Sequence, residues 1–79
     1  MKNIKVLGSG CKNCETTAKL IIIAAEQAGV EIEIEKVTDV AQFMSYGVMS
    51  TPGVVVDGKV VHAGGLPGPD QVRSWVTQD

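Results

Sequence analysis

Residues 2–28, KNIKVLGSGCKNCETTAKLIIIAAEQA, read as a strand, a glycine turn and a helix, with two cysteines where turn meets helix. Lys2 to Leu7 is a short strand with Ile4 and Val6 on one face, and Gly8-Ser9-Gly10 breaks it. The helix is predicted over 11–28, where Ala18, Ile21, Ile22, Ala25 and Ala28 form an apolar stripe and Gly29 supplies the stop. Cys11 and Cys14, three apart at the start of a helix, share one face at roughly 5–6 Å between Cβ atoms. A small adjustment from there reaches disulfide geometry, so a bond between them opens and closes without large movement. Unpaired helix N–H groups and the helix dipole favour a thiolate at Cys11, the dipole by ~0.3–1 kcal/mol. Lys12 adds a screened contribution of the same sign. Cys14, one turn in, is expected to be the less exposed thiol, suited to resolving a mixed disulfide.

From this unit the pattern continues outward. Val30-Glu31-Ile32-Glu33-Ile34-Glu35 alternates as a half-buried strand whose glutamates form a solvated face that discourages edge pairing. Thr38 to Tyr46 reads as a short helix with Val40, Phe43 and Met44 inward. Val54-Val55-Val56 is a β-branched strand, Asp57-Gly58 a hairpin turn and Lys59 to Ala63 the returning strand. After the glycines Gly64-Gly65, Pro69 opens a last helix carrying Val72, Trp75 and Val76. The order is β-α-β-α-β-β-α in one domain over 1–79. Three successive isoleucines, Ile21-Ile22-Ile23, cover too wide an arc for one buried face. A helix buried on two sides is the expectation, with a partner-binding patch as the alternative.

Composition bounds the function. Seventy-nine residues allow one modest core, burying roughly 60–65% of the unfolded surface. With one Phe, one Tyr and one Trp, that core is built from Val, Ile, Leu and Ala. Nine acidic against seven basic groups give a net charge of -2, no footprint for nucleic acid or anionic lipid. The longest apolar run, Leu20 to Ala25, is far short of a membrane span, and the N-terminus lacks a signal-peptide core. A cytoplasmic, monomeric protein is expected. Two cysteines this close close almost no loop, so they are no structural staple. A lone Cys-x-x-Cys leaves a redox pair, a metal site and inert thiols open. Redox chemistry is favoured, because a zinc site asks for a second pair or two histidines and the chain has only His62, read as a surface or packing residue. Gly8-Ser9-Gly10 is no dinucleotide fingerprint, since Asn13 stands where the third glycine belongs. Its glycines are read as a tight turn that leaves Cys11 uncovered.

CKNC after the first strand, the segment YGVMSTPGVVVDGKV and Gly64-Gly65 before the last helix together resemble the thioredoxin superfamily, nearest its short, redox-active prokaryotic members. The resemblance spans Ile4 to Val76 and implies a minimal thioredoxin-like α/β fold, a four-stranded mixed sheet flanked by helices. It implies a thiol–disulfide oxidoreductase with Cys11 as nucleophile, Cys14 as resolving thiol and no cofactor beyond that redox-active disulfide. Pro52 matches the family's cis-proline, and the backbone of Thr51 would pair with a substrate segment beside Cys11, with Gly10 and Lys12 bordering it. Disulfide-containing proteins are the implied substrates and a flavin-containing reductase the implied electron source. Longer thioredoxins carry a buried aspartate six residues before the first cysteine, where this chain has Lys5. They also have Trp before that cysteine and Gly-Pro inside the motif, where Gly10 and Lys12-Asn13 stand here. Tyr46 would either border the site, as a tyrosine does in glutaredoxins, or pack at its helix end. Trp75 is expected in the core. A Cys-x-x-Cys copper or zinc carrier is the alternative, opposed by Ser9 in place of a methionine and by the element order. A glutathione-linked iron–sulfur binder is a further one.

Overall fold

The computed structural model describes residues 2–8 and 12–77, so Ser9, Gly10 and Cys11 lie outside the described residues. Its elements are β1 (Lys2–Leu7), α1 (Lys12–Ala28), β2 (Ile32–Val37), α2 (Val40–Ser45), β3 (Gly53–Val56), β4 (Lys59–Ala63) and α3 (Pro69–Thr77). The strands form one mixed sheet in the order β2-β1-β3-β4. β1 runs parallel to β2, with Ile4 opposite Ile34 and Leu7 opposite Val37, and antiparallel to β3. β4 closes the sheet antiparallel to β3, with an irregularity in register between Val54 and Val55.

Because side chains alternate across a strand, central β1 feeds two cores. Ile4 and Val6 join Ala18, Ile21 and Ala25 of α1 and Val72, Trp75 and Val76 of α3 on one face. On the other face Leu7 meets Val37, Val55, Phe43 of α2 and Val48. The second core is small, since α2 is only six residues long.

Most boundaries expected from the pattern hold, and the departures have local causes. β2 begins at Ile32 rather than Val30 because Val30 belongs to the cap of α1. The Val30 N–H donates to the Ala25 carbonyl at 2.9 Å and that of Gly29, at φ 68°, donates to Glu26, the paired bonds of a Schellman ending. α2 begins at Val40 rather than Thr38 because the Asp39 carboxylate accepts the Ala41 N–H at 2.9 Å, an N-cap. Asp57 and Gly58, at φ 49° and 83°, form the expected two-residue hairpin turn. At α3 the Gln71 side chain accepts the Gly68 N–H just before Pro69, half of a capping box.

Two expectations about burial are corrected. Of the residues predicted to face inward on α2 only Phe43 does; Val40 and Met44 are 60% and 74% exposed. Their four-residue spacing places them together on the outer side, and among the described residues no further layer covers that side. Likewise α1 is not buried on two sides. Ile21 is fully buried, while Ile22 and Ile23 are 40% and 50% exposed. The inward stripe is completed by Cys14 and Thr17 instead.

This division has a measurable consequence. Ile21→Ala is expected to cost about 2–5 kcal/mol in urea unfolding, and Ile22→Ala under about 1 kcal/mol. Equal costs would contradict the one-sided burial of α1.

Candidate active site

The site lies where β1 ends. The Gly8 N–H donates to the Val37 carbonyl at 2.9 Å, which extends the parallel pairing by one residue before the chain turns toward α1. Cys14 is the third residue of α1, is 6% exposed and is disulfide-bonded. The chain's other cysteine, Cys11, and the neighbouring Gly10 lie outside the described residues. Gly8 packs directly against Cys14. A Cβ built on Gly8 would overlap the Cys14 Sγ, lie 3.0 Å from the Cys14 Cβ and touch the Thr51 Cβ at 3.8 Å. The glycine is therefore more than a turn former, because its missing side chain is the space that the sulfur occupies.

Thr51 comes from the opposite direction. The Thr51–Pro52 peptide bond is cis, Pro52 is buried and Thr51 is exposed immediately before β3. The first turn of α1 and this turn thus converge on Gly8 at the end of β1, where the Cys14 sulfur lies. Beneath it the Thr17 hydroxyl, fully buried, donates to the Asn13 carbonyl at 2.7 Å, and Thr16 donates to the Lys12 carbonyl at 3.0 Å. These bonds tie the carbonyls of the two residues between the cysteines to the next turn of the helix. The Lys12 side chain is exposed at the rim.

Beside Thr51 runs an apolar groove of about 410 Å³ lined by Val40, Phe43, Met44, Val48, Met49 and Thr51. Met49 is 97% exposed. Unbranched thioethers on such a surface adapt to side chains of varied shape.

Lys5 occupies the strand position noted above for its departure. Its ammonium donates to the Tyr46 hydroxyl at 3.3 Å and lies 5.8 Å from the centre of that ring. Tyr46 is the C-cap residue of α2 and packs against the second core. Tyr46 therefore packs at the helix end, one of its two expected placements. Trp75 is 7% exposed, in the core as expected.

A family model described as a thioredoxin domain matches residues 2–77. The chain belongs to the thioredoxin family. A thioredoxin of Methanocaldococcus jannaschii is 36% identical over 70 residues, 89% of this chain and 80% of that protein. A thioredoxin of Methanothermobacter thermautotrophicus is 29% identical over 73 residues, 92% of this chain and 95% of the other. In structure, a mutant thioredoxin from Halobacterium salinarum NRC-1 superposes with a TM-score of 0.70 at 22% identity, covering 95% of this chain and 71% of that one, which bears on the fold. This family member is accordingly a thioredoxin-like redox protein, in general terms a thiol–disulfide oxidoreductase.

Of the sequence-predicted site residues, the fold brings Cys14, Thr51 and Pro52 to one end of the sheet, with Lys12 at the rim. Reasoning from sequence missed the packing role of Gly8, the buried Thr17 and the hydrogen bond of His62 described below. Gly8 carried a signal, a glycine at the end of an apolar strand, but what fills its space is a contact from another element.

Gly8→Ala is expected to cost about 1–3 kcal/mol in chemical denaturation, through overpacking against the sulfur. Gly29→Ala, where nothing lies within 4 Å and only the positive φ opposes a side chain, should cost about 1 kcal/mol. A Cys14→Ala background makes room at Gly8 alone. An undiminished Gly8→Ala cost there would contradict the packing described.

Proposed function

We propose that this protein transfers electrons to protein disulfides through a Cys11/Cys14 dithiol, with Cys11 as nucleophile and Cys14 as resolving thiol. The observation that carries this is the disulfide-bonded, buried Cys14 in the first turn of α1, packed against Gly8, which the Thr51–Pro52 turn also adjoins. Cys11 is the only other cysteine of the chain and is the proposed partner of Cys14. The helix start favours a thiolate at that end, and burial suits Cys14 to a second, intramolecular attack.

In the proposed exchange the Cys11 thiolate attacks one sulfur of a substrate disulfide, and the other substrate sulfur leaves as a thiolate and takes up a proton. The Cys14 thiolate, its proton released, then attacks the Cys11 sulfur of the mixed disulfide and expels the second substrate thiol. Two electrons pass to the substrate and the Cys11–Cys14 bond re-forms. A flavin-containing reductase in a reducing cytoplasm would return the protein to the dithiol. Thr51, exposed beside the sulfur, offers backbone groups to an extended substrate strand. The groove next to it accepts an apolar side chain of that strand. Lys12 would border the same approach, and the family resemblance implies the same role for Gly10.

Lys5 sets this site apart from longer thioredoxins. A cation held by Tyr46 stands at the position of the aspartate that would accept the resolving thiol's proton, so solvent is the proposed proton acceptor.

Redox titration in defined thiol/disulfide buffers, quenched with an alkylating mass tag, tests the reading. A reversible two-electron transition between roughly -200 and -300 mV is expected. Cys11→Ser should abolish exchange, and Cys14→Ser should accumulate mixed disulfides with substrate. Thiols without a reversible couple, or thiols that react only after a chelator strips bound metal, would overturn the reading and favour a metal carrier.

A further inference from the structure

The loop between β4 and α3 reaches the same site from behind. The Gly64 N–H donates to the Pro52 carbonyl at 3.0 Å. A Cβ on Gly64, whose φ is 83°, would come within 2.9 Å of the Ser50 Cβ, so loop and turn are in close contact. Gly64 and Gly65 both have positive φ, and a pair of glycines leaves the chain many alternatives unless something holds it. The structure supplies that hold. The His62 ring lies between Gly65 and the core, with its Nε2 2.9 Å from the Gly65 carbonyl. Its centroid is 5.6 Å from that of Trp75, with the rings tilted by 50°. A carbonyl only accepts, so Nε2 carries the hydrogen and donates it. Trp75 is anchored in the α1/α3 core and fixes the ring's position.

We infer that His62 is a positioning residue for substrate exchange: anchored on Trp75, it holds the Gly64–Gly65 loop against Ser50–Pro52 and so sets the Thr51 backbone where a substrate strand docks. The inference rests on the proposed disulfide exchange for its functional half. Its structural half, His62 to Gly65 and Gly64 to Pro52, stands on the contacts alone. The contacts of His62 are with Gly65 and Trp75, so it acts through the loop.

Two variants separate the hydrogen bond from the ring. His62→Phe keeps an aromatic ring over Trp75 and loses the donor; His62→Gln keeps a donor amide and loses the ring. Two readouts are taken on each folded protein: amide hydrogen exchange at Gly64, and the second-order rate at which the reduced protein cleaves insulin disulfides. The rate with DTNB, a small disulfide that needs no strand docking, is measured alongside. One net hydrogen bond corresponds to roughly three- to tenfold in rate or opening constant. His62→Phe should therefore speed Gly64 exchange and slow insulin cleavage by about that factor, with the DTNB rate unchanged. His62→Gln should restore both toward wild type. Wild-type behaviour of His62→Phe would overturn the inference. So would equal impairment of both variants, which assigns the effect to ring packing, or a matching fall in the DTNB rate. If the wild-type protein itself leaves insulin intact, the functional reading fails, while the Gly64 exchange rates still decide whether His62 holds the turn.

Discussion

The contact between Gly8 and the Cys14 sulfur governs the layout of this molecule. A buried sulfur needs space at the junction of a strand end and a helix start, and the only side chain that leaves it is a hydrogen atom. Gly8 is also tied to Val37, so the position of the sulfur is referred to the parallel pair of β1 and the edge strand β2. Thr51 closes the third side. A shift of β1, of α1 or of the turn before β3 would be felt at the same atom.

The two faces of the sheet are served unequally, and this places the chemistry. α1 and α3 share a continuous core with Ile4, Val6 and Val54, and that side provides most of the buried apolar volume. The other side has one short helix held by Phe43 and by the Lys5–Tyr46 pair. Val40 and Met44 on the outer side of α2, with Met49 after it, remain exposed around a groove that opens beside Thr51. The thin layer and the accessible apolar surface are one feature, and it adjoins the exchange site.

Lys5 shows how a departure from a family pattern is absorbed. An ammonium on the inner strand of a sheet needs a partner, and the tyrosine at the end of α2 supplies an acceptor oxygen and a ring face. The cation thereby serves to seat α2. His62 plays a comparable part on the opposite face, where one ring joins the core at Trp75 to the Gly64–Gly65 segment, two residues with no side chains of their own.

The local pattern by itself determined the element order, the Asp57-Gly58 turn, the opening of α3 at Pro69, the placement of Cys14 in the first turn of α1 and the family. Strand alternation, helix stops and turn residues act over a few positions, so they are written where they operate. The α1 stripe was partly legible: Ala18, Ile21 and Ala25 face the core, whereas Ile22 is exposed and Thr17 is buried through a bond to Asn13. Tertiary structure alone decided that Gly8 makes room for Cys14, that Val40 and Met44 face outward, that Lys5 meets Tyr46 and that His62 joins Trp75 to Gly65. Each of these depends on which elements lie side by side across the sheet. A residue's own neighbours in the chain carry no record of what a distant segment will bring against it.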